Sequence, residues 1–175
     1  MHRTPSYILL FIVMALLQIF LFNNLAISTF FCPLVYLTFL VLLPLESTPI
    51  LMLGLGLLMG IVMDATMGIA GINTIATLPV AFLRPNIIRL LSARDDMRDD
   101  GLPSPERMGK QLFWSYVVVM ILLHHTLFFS LEALSWYHLP RTLLRILLSS
   151  AGTLLIIGFT ERLFTLKLSS SSQML

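Results

Sequence analysis

The chain has 175 residues, of which 57% are hydrophobic and 11% charged, with a mean hydropathy of +0.91. A soluble domain carries about 25% charged residues, so this composition excludes an ordinary soluble fold and points to an integral membrane protein. The net charge of +2 is too small to argue for a nucleic-acid partner, and the single cysteine, Cys32, excludes an internal disulfide and a multi-thiol metal site, leaving it as a small apolar filler.

About 20 apolar residues are needed to cross a hydrocarbon core of ~30 Å, and on that measure the sequence predicts an all-α polytopic membrane protein of about six transmembrane helices, one domain over residues 1–175. His2 and Arg3 ahead of an apolar stretch mimic a secretory signal. Asn23, Asn24 and Leu25 offer no small-residue cleavage site, so the first span, Tyr7 to Phe22, is expected to be retained. A second span is expected from Phe31 to Leu45, shortened by Pro33 and Pro44, with tilting, kinking or a re-entrant path open to it.

The third span, Pro49 to Ile69, places Gly56, Gly60, Asp64 and Gly68 at four-residue steps, each advancing a helix by nearly a full turn, so they share one small, bare and anionic face. Such a face lets another helix approach closely, and a carboxyl group at hydrocarbon depth requires neutralisation, a partner or water. Three readings of Asp64 stand open: a structural carboxyl bonded to a neighbouring helix, a substrate or proton site, or a contact to a partner's transmembrane helix. Gly68 and Gly71 predict a glycine turn, with Asn73 and Thr74 able to cap the fourth span, Ile72 to Ile88.

Residues 92–110 form a charged loop of mixed sign, expected on the cytoplasmic side. Its Asp95, Asp96, Asp99 and Asp100 superficially resemble the magnesium-diphosphate motif of prenyl transferases. A second acidic cluster is missing, and Arg94 and Arg98 compete for the carboxylates, so a solvated extension of the fourth helix ending at Gly101 and Pro103 is expected.

The fifth span, Leu112 to Leu134, carries His124, His125 and Glu132. Adjacent histidines point about 100° apart, so at most one shares a face with Glu132; hydrogen-bonded structural histidines are expected over a proton relay or a metal site. Trp114, Tyr116, Trp136 and Tyr137 bracket this helix as interfacial anchors. The sixth span, Leu139 to Phe164, has a small-residue seam at Ser149, Ser150, Gly152, Thr153 and Gly158, and residues 169–175 form a polar tail. No nucleophile elbow, phosphate loop or zinc motif occurs, so no enzyme, catalytic residue, metal or cofactor is expected.

Lysine and arginine placement orients the chain. With both termini cytoplasmic, Arg3, Arg84, Arg89, Arg94, Arg98, Arg107, Lys110, Arg162 and Lys167 fall on or near the inner side, and only Arg141 and Arg145 lie toward the outer one. The outer connections, Phe22 to Phe30, Ile69 to Ile72 and Leu134 to Leu139, are short, so function is expected within or beside the bilayer.

The proline-bounded break at Pro44 and Pro49, the run Leu53-Gly54-Leu55-Gly56-Leu57-Leu58-Met59-Gly60-Ile61-Val62-Met63-Asp64, and Gly68, Gly71, Ile72 and Asn73 together resemble the central signature of the MreD family, small membrane subunits of the bacterial rod-shape machinery. The resemblance covers about Leu43 to Arg84; elsewhere it rests on size and hydropathy. It implies a noncatalytic subunit of the cell-elongation complex in the bacterial inner membrane. Such a subunit would bind an MreC-like single-span partner and link the MreB filament to RodA and a class B penicillin-binding transpeptidase in peptidoglycan synthesis. It implies a packing or partner-contact role for Gly56, Gly60, Asp64, Gly68, Gly71 and Asn73, with membrane lipid around the helices. Because the family's fold is similar to that of the substrate-binding subunits of energy-coupling-factor vitamin transporters, that class is the rival. Its expected sign is a hollow near the outer helix ends, for which Asn23, Asn24, Asn73, Thr74 and His138 are the available polar residues.

Overall fold

The computed structural model describes residues 4–24, 30–92, 103–134 and 139–172. Helix α1 spans Thr4–Leu16 and runs on through a π turn, Leu17–Leu21, and a 3-10 turn, Phe22–Asn24. The short helix α2 covers Leu37–Val41, α3 Pro49–Met67, α4 Ile72–Leu91, α5 Pro105–Met108, α6 Lys110–Ala133 and α7 Leu139–Ser172. Five of these helices, the first (taken through Asn24), third, fourth, sixth and seventh, are long and apolar enough to cross a membrane among the described residues. The all-α polytopic fold read from hydropathy is therefore present.

The long helices are arranged side by side in the order α1, α3, α4, α6, α7, each packing on the next, while α1 and α7 scarcely touch. Inside this open ring sits the stretch expected as the second span. It contacts α1, α3, α6 and α7 and is shielded from lipid, every residue from Pro33 to Leu43 being buried.

That stretch is not a continuous helix. Residues 31–34 have no regular structure, residues 35–36 turn, only Leu37–Val41 is helical, and the chain turns again before α3. Pro33 and Pro44 each lack an amide donor, and the residue before a proline disfavours helical torsions, which biases both ends away from helix. The stretch nevertheless traverses the bundle. Cys32 and Leu34 meet Ser149 and Thr153 of α7, Tyr36 meets His124 of α6, and Val41 meets Tyr116, two turns of α6 farther along.

Helix α4, with Pro79 and Pro85 inside it, runs past Ile88 to Leu91 in the direction of its expected extension and has Ser92 as its C-cap. Two other boundaries differ from expectation. Helix α7 continues to Ser172, so part of the expected polar tail is helical. A one-turn helix, α5, breaks the chain ahead of α6 at Gly109, whose φ of 81° ends it. The bulk of the charged loop, including Asp95, Asp96, Asp99 and Asp100, lies outside the described residues, as do Arg3, Trp136, Tyr137 and His138.

Candidate functional site

The hairpin of α3 and α4 is closed by Asp64. Its Oδ1 accepts the Asn73 amide N–H at 2.8 Å and the Asn73 side-chain Nδ2 at 3.0 Å. Its Oδ2 accepts the Thr74 amide at 3.0 Å and the Thr74 hydroxyl at 2.6 Å. The N-cap of α4 is Gly71, which has no side chain to offer, so a carboxylate from the preceding helix satisfies the second and third amides of α4. Its charge also faces the positive end of the helix dipole. The expectation that Asn73 and Thr74 would do the capping is thus reversed: they are the residues capped.

Gly56 and Gly60 face α4 of the same chain. A β-carbon on Gly60 would stand 2.6 Å from the Thr74 Cα, and one on Gly56 would stand 3.1 Å from Ala81 Cβ. The bare face therefore serves the intramolecular α3–α4 contact, and the approach at Gly60 is what brings Asp64 within reach of Asn73 and Thr74. Gly68 and Gly71 leave the stripe; with φ of 66° and 80° they make the left-handed corners of the turn.

From Asp64 the hydrogen bonding continues inward. Asn73 turns its Nδ2 to Asp64, so its Oδ1 accepts the Tyr36 hydroxyl at 3.0 Å. The Tyr36 oxygen lies 2.9 Å from His124 Nε2, which must then carry the proton in that bond, and the Thr77 hydroxyl lies 3.3 Å from the same nitrogen. His124 Nδ1 is left with no partner among the described residues. His125 has the opposite tautomer: its Nδ1 faces the Ile121 carbonyl at 3.0 Å, which can only accept, so Nε2 accepts the Thr153 hydroxyl at 3.2 Å. Both imidazoles are fully buried, and His124 stacks on Phe128 at 6.5 Å between centroids. The paired histidines thus tie α6 to α4, α7 and the irregular crossing.

Irregular backbone at hydrocarbon depth needs partners for every polar group, because lipid supplies none. Side chains from four helices provide them. On the side of the ring where the crossing begins, Ser149 Oγ accepts Cys32 N–H at 3.0 Å, Thr153 Oγ1 accepts Leu34 N–H at 3.1 Å, and Gln18 Oε1 accepts Val35 N–H at 2.6 Å. The seam of small residues on α7 makes room for this, since a β-carbon on Gly152 would strike the Phe31 ring. Toward the other side the need is reversed, and donors meet carbonyls. Tyr116 donates to Val41 O at 2.9 Å, and Arg84 donates from Nη2 to Leu43 O, from Nη1 to Pro44 O at 3.2 Å, and from Nε to the Tyr116 hydroxyl at 2.8 Å. The Arg84 guanidinium stands 5.9 Å from the Tyr116 ring centroid.

One sequence expectation fails here. Tyr116 is 0% exposed, so it is not an interfacial anchor; together with Arg84, 1% exposed, it is consumed by the carbonyls at and just after the end of α2. Gln18, Arg84, Tyr116, Ser149 and Thr153 form a constellation that sequence spacing does not reveal. The available signals were an isolated glutamine and an arginine inside apolar stretches. Glu132, by contrast, does not join the histidines. It forms a two-bond ion pair with Arg145 of α7, 2.9 Å from Oε2 to Nη1 and 3.1 Å from Oε1 to Nη2, and Arg145 also covers the Phe129 ring at 4.7 Å.

Of the other polar residues expected near the outer helix ends, Asn23 and Asn24 are internally engaged. Gln18 Nε2 donates to Asn23 Oδ1 at 2.8 Å, and Asn24 donates to the carbonyls of Ile19 and Phe20, both at 3.1 Å. Trp114 packs over Gly158, and Cys32 is a partly buried free thiol. Where α1 and α7 diverge, an apolar groove of about 490 Å³ opens along their flanks, bounded by residues such as Leu9, Val13, Leu17, Leu155, Phe159 and Leu163. Comparisons of the chain with protein-family models, curated proteins and solved structures find no match.

Proposed function

We propose that the chain is a noncatalytic membrane subunit of the bacterial cell-elongation machinery, resident in the inner membrane with both termini cytoplasmic. In this role it binds an MreC-like single-span subunit and, through it, RodA and a class B penicillin-binding transpeptidase, with an indirect link to MreB. The reading rests on the resemblance of Leu43 to Arg84 to the MreD family. One structural observation supports an assembly role over chemistry: Asp64, Asn73, Tyr36, Arg84 and Tyr116 bond to one another or to backbone groups of the same chain. Side chains so engaged rigidify a scaffold. Among the described residues, the apolar helix flanks and the short turn at Gly68 to Gly71 are surfaces open to partners.

The test is crosslinking of the tagged protein in its native membrane, followed by mass spectrometry of what copurifies. Enrichment of an MreC-like subunit with cell-wall synthases is the expected result. Recovery of a membrane coupling subunit with paired ATPases would instead assign the chain to the vitamin-transporter class.

A further inference from the structure

We infer that the Asp64 carboxylate sets the tautomer of His124, acting through Asn73 and Tyr36, so that the α3–α4 turn and the middle of α6 are joined by one directed hydrogen-bond relay. The inference goes beyond the assembly role and holds whichever partners the chain binds. Asp64 and Asn73 are positioning residues in it, since neither touches the imidazole.

The direction of each bond follows from the one before it. A carboxylate only accepts, so the Asn73 amide turns Nδ2 toward Asp64, at 3.0 Å, and leaves Oδ1 facing Tyr36. That oxygen also only accepts, so the Tyr36 hydroxyl donates to it, at 3.0 Å, and has no second proton to give. The Tyr36 oxygen, 2.9 Å from His124 Nε2, is then an acceptor, and His124 carries its proton on Nε2. The opposite order would set Asn73 Oδ1 against a carboxylate oxygen, two acceptors with no proton between them. One charge at the turn thus orders three donors, and hydrogen bonds aligned in this way polarise one another.

Burial isolates the relay. Tyr36, Asn73 and His124 are each fully buried, whereas Asp64 is half-buried beside the turn. A second proton on His124 Nδ1 finds no acceptor among the described residues, so the two tautomers of the neutral ring are the alternatives. The competing donor is the Thr77 hydroxyl, 3.3 Å from Nε2. Once Asn73 no longer holds the Tyr36 proton, Tyr36 or Thr77 can donate to a bare Nε2, and the ring proton then sits on Nδ1. His125 is an internal reference, because its Nδ1–H is held at 3.0 Å by the Ile121 carbonyl of its own helix and its Nε2 by Thr153, with no bond that passes through Asp64. Two adjacent rings, 5.7 Å apart, therefore hold opposite tautomers for different reasons: one obeys its own backbone, the other a carboxylate on another helix.

The experiment is nitrogen NMR of the full chain with isotope-labelled histidine, reconstituted in lipid bilayers at fixed pH, with His124 assigned by its loss in His124→Phe. In the parent, His124 is expected to show a protonated Nε2 and a bare Nδ1, favoured over the other tautomer about tenfold or more, the weight of one directed hydrogen bond. Asp64→Asn keeps the shape of the side chain, but whichever way its amide turns, one of its donors meets a donor of Asn73 or Thr74. The direction of Asn73 is then no longer fixed, and the ratio is expected to fall to about threefold or less. Asn73→Leu, which removes the acceptor of the Tyr36 proton, is expected to give the same fall. Thr74→Val loosens the same turn by deleting the 2.6 Å hydroxyl bond to Asp64 Oδ2 yet leaves the relay intact, so the parent ratio is expected to persist. The His125 tautomer is expected to stay unchanged in all of them. A proton on Nδ1 of His124 in the parent, an unchanged ratio in Asp64→Asn or in Asn73→Leu, or an equal fall in Thr74→Val would overturn the inference, the last by showing that the tautomer follows a general loosening of the turn.

Discussion

Asp64 illustrates how one side chain resolves a cost that the sequence alone leaves open. A carboxylate in an apolar helix is unfavourable, yet here it accepts four hydrogen bonds from Asn73 and Thr74 and takes the place of an N-cap side chain that Gly71 lacks. Asp64→Leu removes the cap and leaves buried donors unpaired, so thermal unfolding in detergent is expected to show a loss of about 2 kcal/mol or more. Asp64→Asn keeps one acceptor oxygen and is expected to lose less. Equal stability of Asp64→Leu and the parent would show that the cap contributes nothing. Two glycines of α3 give a sharper contrast. Gly60→Ala drives a methyl group against the Thr74 backbone and is expected to cost about 1–3 kcal/mol, whereas Gly54, with open space around its Cα, is expected to tolerate alanine without loss in the same assay.

At the scale of elements, the irregular crossing decides what was legible. The long helices were readable because about 20 apolar residues in a row have one economical solution in a bilayer. The glycine and aspartate spacing of α3 was readable too, because helical periodicity by itself places those residues on one face. What the sequence could not convey was that the stretch from Phe31 to Leu45, apolar enough for a span, is helical only at Leu37–Val41 and borrows hydrogen bonds for the rest. Its partners are 17 to 119 residues away in sequence, and nothing local links Gln18 to Val35 or Thr153 to Leu34. The same blindness made Tyr116 look like an interfacial anchor, when it and Arg84 serve the carbonyls at and just after the end of α2. Tyr116→Phe deletes one donor to Val41 and the acceptor of Arg84, with an expected cost of about 1–3 kcal/mol measured by thermal unfolding. Arg84→Met leaves Leu43 and Pro44 carbonyls unpaired and is expected to cost more than Tyr116→Phe. Arg84→Lys, which keeps the charge without the planar fork, is expected to fall short of full rescue. A methionine variant as stable as the parent would contradict the clamp.

Across the whole molecule, the two ends of the irregular crossing are matched to opposite chemistries: side-chain oxygens for its amides where it begins, and donors for its carbonyls where it leaves the bundle. This division lets the chain cross the bundle here without a further long helix. It also concentrates the polar side chains at the centre of the ring, leaving outward surfaces that are apolar and suited to other helices. That distribution, with the resemblance of the sequence from Leu43 to Arg84 to the MreD signature, is the ground of the assembly role proposed above. Depletion of the protein from a chromosomal, repressible copy, followed by microscopy of cell width and incorporation of labelled peptidoglycan, tests this role most directly. Widening cells that lose side-wall incorporation are expected. Cells that keep their shape and wall synthesis while losing uptake of a vitamin would contradict the assembly role and support substrate capture instead.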